Sequence, residues 1–125
     1  MLNGLLELEK NLHGFTYPKA FLKAVELHLT DLDIWYLMDA EQVLLRFEGL
    51  RKRYPKRKLI PFARREDNDD VACFEVDEGN RVFVIHDFAN ECWERRKEFS
   101  DFWGWFENAV QEMIEYQREE EKSGH

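Results

Sequence analysis

The sequence predicts an α+β domain: a small, mostly antiparallel sheet flanked by helices and closed by a long C-terminal helix. Three observations carry that reading. Two β-rich runs, 71–76 and 81–86, flank the turn sequence Asp77-Glu78-Gly79-Asn80, as a hairpin requires. Apolar residues recur at helical spacing both before these runs and after them. A chain of 125 residues, 44% apolar and 14% aromatic, has the material for one buried core.

The elements follow in order. Leu2, Leu5, Leu6, Leu8 and Leu12 allow a short helix before Gly14. Phe21, Leu22, Val25 and Leu29 give a second helix, with Pro18 as a first-turn residue. Residues 33–37, Asp-Ile-Trp-Tyr-Leu, are short and β-rich and read as a strand. Asp39 has the chemistry of an N-cap, and Val43, Leu44, Phe47 and Leu50 line a helix that ends near Arg53, stopped by Tyr54-Pro55. Leu59 to Ala63 forms a strand in which Pro61, lacking an N–H, requires an edge, a bulge or a strand end. The hairpin 71–86 comes next. Ser100 then caps a last helix whose expected buried stripe is Phe102, Phe106, Ala109, Val110, Met113 and Ile114, with Trp103 and Trp105 on its flanks. The core spans about 17–116 in a single domain, and 117–125 reads as a solvated, fraying tail.

Charge is unevenly placed. The net charge is −8, yet residues 46–65 hold nine of the eighteen basic residues against one acid, Glu48. The rest of the chain therefore carries nine bases against 25 acids. Such an acidic balance disfavours nucleic acid and anionic membranes and favours a basic partner. No apolar run reaches the ~20 residues that a membrane-spanning helix needs. The first ten residues include Glu7 and Glu9 and lack the pattern of a secretory signal, so a cytoplasmic protein is expected. Cys73 and Cys92 lie among apolar neighbours and read as reduced, buried thiols.

Chemistry-bearing constellations are weak. Glu66-Asp67-Asn68-Asp69-Asp70 begins like a calcium loop, but Val71 stands where a ligand is needed and no Gly or terminal Glu follows at the right spacing. Four acids in five residues are ordinarily solvated, so the plainer reading is a solvated turn with a structural Asp, and contact with a partner is the alternative. His86-Asp87 resembles the metal-binding pair of HD-type phosphohydrolases, without the further His and Asp ligands those enzymes use on helices. Ser100 and Ser123 are the only serines, and no Gly-rich phosphate loop is present. Neither a cofactor, a metal nor an enzymatic activity is expected. The run from Arg51 to Lys58 has the composition of a nucleic-acid patch, but it follows a helix C-terminus, where bases complement the dipole. Its alternatives are solubility, or contact with an acidic surface or an internal acidic loop.

Tyr54-Pro55, Leu59-Ile60-Pro61-Phe62-Ala63, the acidic turn, the strand Val71-Ala72-Cys73-Phe74-Glu75-Val76 and the closing Phe99-x-x-Phe102 together resemble the SUKH (Smi/Knr-like) superfamily, over roughly 17–116. The chain departs from that pattern at the turn, where Asp69-Asp70 replaces the usual Gly-Asp. The resemblance implies an α+β fold and an immunity protein that binds and neutralises a cognate toxin, often a nuclease, of a polymorphic-toxin or contact-dependent system. A regulatory or scaffolding module of the same fold is the alternative. An acidic protein suits a basic toxin domain, and the candidate contacts are Glu66, Asp67, Asp69, Asp70, Asp77 and Glu78, with Trp93 as an aromatic anchor.

Overall fold

The structure, a computed structural model, describes residues 1–12, 14–90 and 93–123, and at Arg95 the backbone alone. Its elements in chain order are α1 (Leu2–Glu9), α2 (Lys19–Glu26), β1 (Asp31–Leu32), β2 (Trp35–Leu37), α3 (Ala40–Arg53), β3 (Leu59–Arg65), β4 (Asp70–Glu75), β5 (Val82–His86), β6 (Arg95–Phe99) and α4 (Phe102–Ser123). The strands form one antiparallel sheet in the order β1-β2-β3-β4-β5-β6, so each strand pairs with its neighbours in sequence. This is the expected α+β architecture.

Pleat alternation sorts the sheet into two faces. Asp70, Ala72 and Phe74 of β4 share a face with His86 and Val84 of β5, whereas Val71, Cys73, Ile85 and Phe83 point the other way. The first face is aromatic and lies under α2 and α4. The Phe74 ring stacks on Phe62 at 4.4 Å and meets Phe21 at 5.6 Å, and Trp105 stands edge-on to Phe62 at 4.9 Å. Each such pair adds about 1 kcal/mol beyond the area it buries. On the other face, α3 packs along β3. Arg57, just beyond α3, lies over the Phe83 ring at 5.3 Å.

Local signals explain most boundaries. Asp39 and Gln42 form a reciprocal capping box that starts α3. Pro61 sits at a register shift between β3 and β4, so its missing N–H falls where the ladder is already irregular. The β4–β5 hairpin turns through Asp77 at φ +67° and Gly79 at φ +62°.

Four expectations need correction. The residue that caps α4 is Asp101, whose Oδ1 accepts the Gly104 N–H at 2.8 Å, rather than Ser100. Trp105 is in the core, not on a flank, and Ile114 from the expected stripe is exposed. The 117–123 segment is solvated but helical, because α4 continues unbroken to Ser123. The strand β6 was not anticipated at all: its sequence Arg-Arg-Lys-Glu-Phe has no alternating apolar pattern.

Candidate functional site

The acidic turn between β3 and β4 is rigidly built. Asn68 Oδ1 accepts the Asp70 N–H at 2.8 Å, and the Asp69 carbonyl accepts the Asp87 N–H at 3.1 Å. Arg65 Nε donates to Asp67 Oδ1 at 2.6 Å and the same guanidinium reaches Glu112 of α4. Tyr36 Oη donates to Glu66 Oε2 at 2.9 Å and lies 3.4 Å from Asp33 Oδ1. Gln117 Nε2 holds the other Asp33 oxygen at 2.7 Å.

These bonds bring together acids that are far apart in sequence. The hydrogen bond to Glu66, then burial and the negative charges of Asp33, Glu66 and Asp31, push the Tyr36 hydroxyl up to about 12. Tyr116 of α4 is raised as well, first by Glu120, then by burial, Asp33 and Glu66. Asp31, Asp33, Glu66, Asp67 and Glu120 thus make an acidic ridge that runs from the β1–β2 turn across the β3–β4 turn onto α4, with Tyr36 and Tyr116 set into it. Of these, Glu66 and Asp67 were candidate contacts in the sequence, and Asp31, Asp33 and Glu120 were not. Only strand pairing and the path of α4 join them.

The remaining expected contacts are dispersed. Asp70 opens β4 and is buried, with 6% of its surface exposed. His86 Nδ1 and Arg96 Nε each lie 3.0 Å from its Oδ1, so it serves the interior of the fold rather than a partner. Asp77 and Glu78 are exposed at the opposite end of β4, which is six residues or roughly 20 Å long, and so cannot share a compact site with Glu66. Trp93 is 79% exposed in the segment after β5, at the same end of the sheet as the acidic turn.

The basic band turns partly inward. Asp87, fully buried, receives Arg53 through two bonds of 2.6 Å and Arg46 through one of 3.0 Å. Arg57 pairs with Glu75 at 2.7 Å and approaches Glu94 at 3.6 Å. Within the run Arg51–Lys58 the internal-acid alternative therefore describes Arg53 and Arg57, and Arg46 and Arg65 outside the run are engaged with acids in the same way. Asp87 is engaged as a structural counterion and His86 with Asp70. Among the described residues no three His, Cys, Asp or Glu side chains converge as metal ligands. Burial pushes the Cys73 thiol far up, which suppresses the nucleophilic thiolate. Cys92 lies outside the described residues.

Close by is a second surface. Phe88 follows Asp87 with a left-handed backbone, φ +66°, and its ring is 63% exposed. The Arg53 guanidinium lies 4.1 Å from the centre of that ring, and Asp87 Oδ1 accepts the Phe88 N–H at 2.9 Å. An open groove of about 590 Å³ runs between this loop and the outer side of α3. What the geometry offers chemically is recognition by charge and aromatic contact, on a rigid frame. Among the described residues no helix is long and apolar enough to cross a membrane. No protein-family model matches the chain, and neither a curated protein nor a solved structure matches it.

Proposed function

We propose that this protein is a non-enzymatic binding domain, an immunity protein of the SUKH kind that neutralises a cognate toxin by covering its basic active surface. The observation that supports this reading most is the acidic ridge. Its carboxylates are held by hydrogen bonds on three elements, so little ordering entropy remains to be lost on docking. A nuclease toxin presents cations arranged for a phosphate backbone, and a fixed row of carboxylates competes for them. Occlusion needs no catalytic group of its own.

The test is direct. The product of the neighbouring gene, expressed with this chain, is expected to co-purify with it and to dissociate more readily as salt rises. The double reversal Glu66→Lys with Asp67→Lys is expected to slow association by about tenfold or more and to weaken protection of cells against that product. Full protection by the reversed variant would remove the ridge from the interface. A neighbour without toxicity would leave the ridge to a basic cellular partner, as in a regulatory module.

A further inference from the structure

The basic band has an outward half as well as an inward one. The groove beside α3 has an apolar floor and rim from Met38, Leu45 and Phe88, and Lys52 and Arg64 line it as cations beside one acid, Glu48, with Arg46 and Arg53 turned to Asp87. Leu45 is 75% exposed, on the helix side that faces solvent. A bulky aromatic held at positive φ is strained, and strain of about 1–3 kcal/mol persists only where the surroundings enforce it. Here the enforcement is visible, through Asp87 on the backbone and Arg53 on the ring. The loop presents the Phe88 ring to solvent in one fixed orientation, which is how an anchor residue for a partner is built.

The chain itself carries a complementary element. From Ile114 to Ser123, α4 has no buried residue on any side. These ten residues span about 15 Å, and the bond from Gln117 to Asp33 ties them to the body of the fold. A helical segment of that length, polar all round, is marginal in water without packing. It bears Glu115, Glu119, Glu120 and Glu121 against Arg118 and Lys122, the latter 3.5 Å from Glu119, with Ile114 and Tyr116 as its apolar members.

We propose that the groove beside α3 receives the acidic end of α4 from a second copy of this chain, and that the exchange is reciprocal. Lys52 and Arg64 meet Glu119 and Glu120, and Leu45 and Phe88 meet Tyr116, which shares the side of α4 that bears those two glutamates. A reciprocal exchange closes on itself as a two-fold dimer and does not propagate into a filament. The pairing stands apart from the toxin reading. Because Tyr116 and Glu120 also belong to the acidic ridge, pairing and binding of a basic partner compete for them, and the experiment is run on this chain alone.

Sedimentation equilibrium of the full chain is expected to show a monomer–dimer equilibrium that shifts toward monomer between about 50 mM and about 500 mM salt. Phe88→Asn keeps a residue that accepts the left-handed backbone, and with Leu45→Gln it is expected to weaken dimerisation about tenfold or more. Lys52→Glu and Glu120→Lys are each expected to weaken self-association, and an equimolar mixture of the two variants to regain it, because in the mixed dimer both exchanged contacts join opposite charges whereas in either variant alone both join like charges. Circular dichroism and urea midpoints equal to those of the parent confirm folding, as these side chains are all exposed. A monomer at both salt concentrations overturns the proposal. So does a dimer indifferent to Phe88→Asn and to the charge exchange.

Discussion

Gly49 shows how one atom's absence is used. It lies inside α3, where glycine costs about 1 kcal/mol relative to alanine. A Cβ there would stand 2.7 Å from Arg53 Nη2 and 3.0 Å from Nη1. The guanidinium could normally swing away, but both its bonds to buried Asp87 hold it in place. Gly49→Ala is therefore expected to destabilise the protein by about 1 kcal/mol despite better helix propensity, and in an Arg53→Met background the same alanine is expected to stabilise it. Urea unfolding of the four proteins measures this. A stabilising Gly49→Ala in the parent would show that Arg53 is not fixed. None of this was legible in the sequence, because Arg53 and Asp87 stand 34 positions apart and neither has a local signature. Asp70 is a similar case. It reads as the last acid of an exposed turn, and only its pairing opposite His86 reveals it as the first residue of a buried strand.

The clearest elements in the sequence were those with a local chemical reason. The Asp39 cap, the Pro61 irregularity and the hairpin through Asp77-Glu78-Gly79-Asn80 each follow from one residue's backbone demands. The strand β6 had no such signal. An edge strand guarded by Arg96, Lys97 and Glu98 looks like a charged loop, and those charges discourage pairing with another chain. The start of α4 was misplaced by one residue because Ser100 and Asp101 are both good caps and the choice depends on where Phe102 must be buried. Asp101→Ala is expected to cost about 1 kcal/mol, and Ser100→Ala only a few tenths. Equal costs in chemical unfolding would place the cap elsewhere.

Across the whole molecule, fold class was legible in the sequence, but the spatial distribution of its charges was not. Four arginines of the basic band are internal counterions, so its charge is less outward than its composition implies. Ionisation of buried groups sets the behaviour at high pH. Burial raises both Cys73 and Tyr17, and burial together with the charge of Asp87 raises Tyr54. In the unfolded chain the thiol would ionise from its ordinary value of 9.0 and the phenols from 10.0, whereas the folded protein keeps these protons. Folding therefore takes up protons in alkali, and the stability present below about pH 9 is lost as pH rises. Between about pH 8 and about pH 10.5 unfolding free energy is expected to fall by at least about 2 kcal/mol. A flat profile in urea titrations would show that Cys73 ionises in place.

The neighbour-to-neighbour order of the strands has a consequence during synthesis. Each strand can join the sheet as soon as it leaves the ribosome, since its partner has already emerged. The aromatic face, however, waits for Phe102 and Trp105, which emerge only after all six strands. A chain interrupted before residue 102 would hold a nearly complete sheet with Phe62 and Phe74 short of their cover, a product for quality-control proteases rather than a smaller working version of the protein.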